Sequence, residues 1–484
     1  MSGIKIIPKW TMFTAAIGVT PFDEAHTSKN TLELTERILT KFGLRLTDFI
    51  GCTTDTASAA FNTFEVIDFI AQLPCFAHLI ALLLKHAFEM GLLSSALQGI
   101  HDLVVMLKAS PKRKSLLKRA CEAAMILYLA PILDVITRWN SKEAMVTRIQ
   151  YLFPALMQIS AQDAFSKAAD RAKWITSLAN AEAGLASLHF VMPFLVETSQ
   201  WTQILSRRDS PTVSLVRAAA KSIKRSLEKF DRDIKDLPQE PEKAALTEVH
   251  IALCFWAFGD ETEHNVGYIG DKYTEFWVFR VAEFLDCRTH KTMSFAGKLE
   301  VLNDILPDLV PLSAKTVKRS TIQSRRLLSE EEKFLESGTV SAETALVREC
   351  KAYIAFMRDC SDEDPLEFWT KHAHQFPILA VVARRILAIP AESSSTERLF
   401  SVGGRVSTFD RASLKPANVD ILTTLHVWEK TDLDQDRKSM VREAANNKFC
   451  ELMIDALTNS LVLVPGTYEL FEEEDEYEDD DDES

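Results

Sequence analysis

The 484 residues include only 15 Gly and 17 Pro, too few for a collagenous or low-complexity chain. The eight Cys, at positions 52, 75, 121, 254, 287, 350, 360 and 450, form no dense disulfide framework, and no secretory leader is evident. Reduced thiols in an intracellular protein are expected. The most apolar run, Phe69 to Leu84, is shorter than the roughly 18 to 20 residues a membrane span needs, and Pro74 interrupts it. No repeat of fixed period is evident, which disfavours a solenoid. Nor do Cys-x-x-Cys and His-x-x-x-His pairs occur at zinc-finger spacing.

What is present is 47% hydrophobic and 26% charged residues, the balance of a mainly globular chain long enough for about three domains. Of the formal net charge of −14, residues 472 to 484 supply eleven negative charges and no positive one, leaving −3 on the rest. A nearly neutral body with local basic clusters is compatible with nucleic acid.

The first 60 residues read as alternating α/β. Trp10 to Thr20 has strand composition. Thr27 or Ser28 can cap a helix with Leu32, Leu34, Ile38, Leu39 and Phe42 at helical spacing, before Gly43 ends it. A second strand, Phe49 to Thr54, delivers Asp55 at its carboxyl end, where open α/β sheets place their chemistry. From about Pro74 to Asp260 the pattern is helical. Over Ser214 to Ile234 it puts Val216, Ala219, Ile223, Leu227 and Phe230 on one face. The expected division is α/β strands and helix over 1–73, helices over 74–312, a polar linker over 313–345, a helical region over 346–461 and an acidic disordered tail over 462–484.

Several motifs occur in a fixed order: Asp55 after a strand, Cys75 and His78 in CFAH, Arg138 and Trp139 in ITRWNS, Leu285, Asp286 and Arg288 in FLDCRTH, DPLEFW at Asp364 to Trp369, and Glu397 in SSSTERLFS. Together they resemble the hAT superfamily of cut-and-paste DNA transposases. The most specific stretch, Phe376 to Val406, is similar to that family's C-terminal dimerisation region, and the resemblance runs from about Trp10 to Trp428.

The resemblance implies an α/β plus α architecture: a partial RNase H-like core, interrupted by a large helical insertion and followed by a helical dimerisation region. It implies three acidic residues holding two divalent metals, Mg²⁺ or Mn²⁺, roughly 3.5 to 4 Å apart, which stabilise the attacking and leaving oxygens of a phosphoryl transfer. Asp55 and Glu397 match the second and third ligands; the first is expected upstream of Met1. Asp23 and Glu24 are poor substitutes, and the family's two Asn positions after the Asp are Thr56 and Ala59 here. The expectation is a remnant acidic site in a nuclear, DNA-associated, self-associating protein that is no active transposase. The rivals are a fragment of an active metal-dependent enzyme and a helical interaction scaffold without DNA binding.

Each residue also has a simpler reading. Glu397 follows Ser393, Ser394, Ser395 and Thr396 at a helix start, where capping alone accounts for it. Cys75 and His78 could supply two zinc ligands, though buried packing is favoured because no second pair lies nearby. By resemblance Trp139 would stack on an expelled base and Arg138 would neutralise its phosphate; otherwise Trp139 packs at a helix start. Lys108, Lys112, Arg113, Lys114, Lys118 and Arg119 could neutralise phosphates in a weak, non-specific DNA contact, or form a solvated helix face. The acidic tail could compete with phosphates for those cations. Phe376, Leu379, Val382 and Leu387 form an apolar stripe assigned to dimerisation, and a second apolar set follows at Leu414, Val419, Ile421, Leu422, Leu425 and Trp428.

Overall fold

The structure is a computed structural model. It describes residues 2–6, 10–16, 25, 27–41, 43–56, 63–64, 67, 70–89, 91–134, 139–238, 240–259, 267–270, 274–309, 345–360, 364–406, 419, 422–423 and 426. The expected linker up to residue 344, the acidic tail, and Leu414, Ile421, Leu425 and Trp428 lie outside them.

Four strands are described. β1 (Ser2–Ile6) and β2 (Met12–Ala16) pair antiparallel, from Ser2 opposite Ala16 to Ile6 opposite Met12. β3 (Gly51–Thr54) and β4 (Ala71–Pro74) pair parallel in a separate sheet. A Cβ at Gly51 would come within 2.7 Å of the Ile389 side chain and 3.1 Å of the Ala71 carbonyl, so a bare α-carbon lets β3 approach both neighbours. Between the sheets, α1 (Ser28–Lys41) buries Ile38 and Leu39, and Gly43 follows it at φ +66°, a conformation that favours glycine.

Helices dominate the remainder. α2 (Phe76–Phe88), α3 (Gly91–Lys108), α4 (Pro111–Ala123) and α5 (Trp139–Leu156) lead to the 38-residue α6 (Ala168–Leu205). α7 (Val216–Lys235) buries Val216, Ala219, Ile223, Leu227 and Phe230, the face its spacing predicts, and α8 (Glu240–Phe258) packs beside it. After α9 (Trp277–Leu285) and α10 (Phe295–Glu300) come α11 (Ala345–Asp359), α12 (Pro365–His372), α13 (Pro377–Ile386) and α14 (Ser394–Val406). Pro occupies the first turn of α4, α12 and α13, where its missing N–H costs no intrahelical bond. One continuous hydrophobic core runs from Ile6 to Ala391, so the C-terminal helices complete the same interior that the N-terminal strands begin.

The observed fold is thus more helical than an α/β reading suggests, and the described strands form two small sheets rather than one. Among the described residues no helix is long and apolar enough to cross a membrane.

Candidate functional site at the strand ends

Because β3 and β4 run parallel, their carboxyl ends emerge side by side. Asp55 follows β3 and is exposed. Cys75 follows β4; its backbone N–H donates to the Thr54 carbonyl at 2.7 Å, and its buried thiol stands just before α2. The segment leading into α14 is stitched onto these ends. Thr53 Oγ1 donates to the Pro390 carbonyl at 2.6 Å and the Phe76 N–H to the Ala391 carbonyl at 3.1 Å. The Ala391 N–H donates to Thr212 Oγ1 at 3.1 Å, and the Ser393 N–H to Cys75 Sγ at 3.3 Å. Residues more than 300 positions apart in sequence are thereby fixed together. Asp55 and the first turn of α14, which carries exposed Glu397, consequently belong to one end of the β3–β4 pair.

Between the pinned Ala391 and Ser393 lies Glu392, which sequence reasoning passed over. Its side chain is only 3% exposed, and its Oε1 has no hydrogen-bond partner among the described residues. Burial pushes its carboxyl up to about 7; a hydrogen bond from Ser394 opposes the shift and the charge of Glu397 adds to it. The one available signal was an acid in an otherwise small and hydroxylated run just after Ile389 and Pro390. Burial also raises the Cys75 thiol, against hydrogen bonds from Ser393, which leaves it an inert packing group. His78 is half-buried one turn along α2. Among the described residues no three His, Cys, Asp or Glu side chains lie together as metal ligands. The described part of the site therefore does not by itself fit a two-metal centre, and neither Cys75 nor His78 gathers the further partners of a zinc site.

Arg138 and residues 57–59 lie outside the described residues, and of Trp139 only the backbone is described, as the first residue of α5. Lys112 and Lys114 are exposed on α4, and the Arg113 guanidinium lies 4.8 Å from the Phe165 ring centroid. The four residues assigned to dimerisation, Phe376, Leu379, Val382 and Leu387, are all buried in this chain's own core. Any part they take in association is indirect. Among the described residues, Val381, 49% exposed on α13, and Phe400, 59% exposed on α14, are large apolar groups that these two helices present outward.

The FLDCRTH and DPLEFW motifs meet each other. Asp286, fully buried, accepts from Ser214 Oγ at 2.5 Å and from Arg288 Nη2 at 2.7 Å. Arg288 also donates to Ser210 Oγ at 3.0 Å and to the Pro211 carbonyl at 2.6 Å. Ser210 Oγ donates onward to Asp364 Oδ2 at 3.0 Å, and Asp364 caps α12 by accepting from the Leu366 N–H at 2.8 Å. Trp369 Nε1 closes the loop by donating to the Leu285 carbonyl at 3.0 Å. Both motifs are thus parts of a clasp that joins α9 to α12, with every named polar atom satisfied.

The ordered motifs sit on a parallel strand pair, a long helical body and a clasped C-terminal set. Residues 316–429 match the hAT family C-terminal dimerisation region, and residues 73–178 match the ZBED1 RNase-like helical domain. A protein of Zea mays named AC transposase is 22% identical over 87% of this chain and 53% of its own length; the AC9 transposase of Zea mays is 20% identical over 95% and 59%. A protein of Talaromyces stipitatus named as the transcriptional regulator tpeD is 36% identical over 80 residues, 16% of this chain and 10% of that protein. The chain is an hAT-family transposase relative that carries the family's dimerisation region. It spans little more than half the length of the maize proteins.

Proposed function

We propose that this chain is a transposase-derived nuclear protein that self-associates, holds DNA weakly and without sequence preference, and does not cut it. The match of residues 316–429 to the dimerisation region carries the reading. The exposed cations of α4 support DNA contact through phosphate neutralisation. On this reading β3 and β4 are part of an RNase H-like core, with Asp55 and Glu397 as remnants of its acidic set. Thr56 and Ala59, at the positions where the family resembled has Asn, support loss of cleavage.

Light scattering tests association: the expected mass exceeds 54.5 kDa, and a folded monomer at tens of micromolar overturns the dimer. Charged substitutions at Leu379 or Val382 should unfold the region, since both are core residues. Val381→Glu and Phe400→Glu should lower the mass while leaving the fold intact. Duplex titrations at rising salt test the DNA contact, and no binding at low salt favours the scaffold reading.

A second reading rests on the partial coverage of the maize transposases: the chain is part of an active metal-dependent enzyme. Mg²⁺- or Mn²⁺-dependent nicking that Asp55→Asn abolishes would establish it.

A further inference from the structure

Several surface cations stand beside acids: Arg207 with Asp209, Lys235 with Asp231, Lys173 with Asp102, and Lys221 with Glu283. Those of α4 do not. Lys112, Lys114, Lys118 and Arg119 are exposed, Lys108 closes α3 beside them, and none forms an ion pair with a described carboxylate. Next to this face runs a segment outside any helix or strand, Ile126 to Asp134. Lys118 Nζ lies 5.3 Å from the Tyr128 ring centroid, so the basic face and this segment adjoin. At its start Met125 is 92% exposed, and Leu127 is 71% exposed. A cationic face bordered by bare apolar side chains suits a peptide rich in acids and aromatics. A phosphate backbone has no use for Met125 or Leu127.

The sequence contains such a peptide. Residues 471–483 place Phe471 and Tyr477 among eleven carboxylates. The 45 residues from 427 to 471 can span up to about 150 Å at roughly 3.3 Å each, so no face of the chain is out of reach. We infer that the acidic C-terminal segment, Phe471 to Glu483, docks on the face formed by Lys112, Lys114 and Lys118 with Met125 and Leu127, and occupies it until a stronger polyanion displaces it. Tethering helps, because a linked segment meets its site at an effective concentration in the millimolar range even when its own affinity is weak. The inference concerns the chain's internal contact and holds whether or not the same cations bind DNA.

Carbodiimide cross-linking of the full chain at low salt, read by peptide mass spectrometry, tests it. Cross-links from the tail carboxylates should concentrate on Lys112, Lys114 and Lys118 over the exposed controls Lys29 and Lys85, and mixed isotope-labelled chains should show them within one copy. They should fade when Met125 and Leu127 are both changed to Ser. Cross-links spread evenly over surface lysines, or found only between copies, overturn the proposal. A second arm uses the full chain with its eleven tail acids changed to amides. Its affinity for a 30-base-pair duplex at low salt should rise about three- to tenfold, and the rise should vanish when Lys112, Lys114 and Lys118 are changed to Gln. A rise that survives the Gln changes marks general charge repulsion and also overturns docking. Focused cross-links in a chain that binds no duplex would sink the DNA reading alone.

Discussion

Two buried carboxylates, Asp286 and Glu392, sit in opposite circumstances. Asp286 is met by a guanidinium, a hydroxyl and the Arg288 backbone N–H, and it joins two motifs into a clasp. Glu392 has one oxygen with no partner among the described residues, a like charge nearby in Glu397, and backbone pinned on both sides. An unpaired polar atom in the interior costs free energy, so a fold keeps one only under constraint. The clasp meets its buried charge with partners, whereas the strand ends hold a buried carboxyl with one oxygen left over.

The largest effect should come from breaking the satisfied side. Arg288→Ala leaves Asp286 buried without its cation and should cost about 3 kcal/mol, read as a lower urea midpoint with the slope unchanged. Asp286→Asn in that background should recover part of the loss, because the stranded charge is then gone.

On the unsatisfied side the sign reverses. The folded-state pKa of Glu392, about 7, lies above the ordinary glutamate value of 4.5. The folded state therefore holds the proton more tightly, and stability present at pH 4 is lost as pH rises towards and through 7. Glu392→Gln should leave stability at pH 4.5 nearly unchanged and raise it by about 2 kcal/mol at pH 8. His290 acts in the opposite sense: burial lowers its pKa to about 3, so its contribution is lost as pH falls below 6.5. The difference between Glu392→Gln and wild type, measured by urea titration at each pH, isolates the carboxyl. A difference that does not vary with pH would equate the two carboxylates after all.

Glu349 lies between the extremes. It accepts from the Ile378 and Leu379 backbone N–H groups at 3.2 and 2.7 Å, capping α13 from a neighbouring helix, while burial raises its pKa. Glu349→Ala should cost about 1 kcal/mol in a urea titration at pH 7.

Local patterns in the sequence conveyed local structure well. The face of α7, the glycine stop after α1 and the strand ending at Asp55 all follow from spacing and turn chemistry. Apolar periodicity at Phe376, Leu379 and Val382 showed a buried stripe but not what buries it, since a core and an interface impose the same pattern on a helix. Here the chain's own core does so. Glu392 was illegible for a different reason: the backbone on either side of it is held by Thr212, Cys75 and Thr53, partners far away in sequence. The clasp likewise depends on Ser210 and Ser214, whose polar types carry no signal until Asp286 and Asp364 are brought to them.

The aromatic residues around α12 carry an optical consequence. Trp369 stacks with Trp10 at 5.5 Å and 19° and with Tyr353 at 5.8 Å and 11°, while the Arg384 guanidinium lies 4.6 Å from the Trp10 ring centroid. Two indoles held this close and nearly parallel couple their transitions, so the intact chain should show a near-ultraviolet circular dichroism couplet that Trp10→Phe removes. Trp10 borders the β1–β2 hairpin and Trp369 belongs to α12, so that couplet monitors the two ends of the described fold at once. Any partner that pries the C-terminal helices from the hairpin would announce itself in the spectrum without a label.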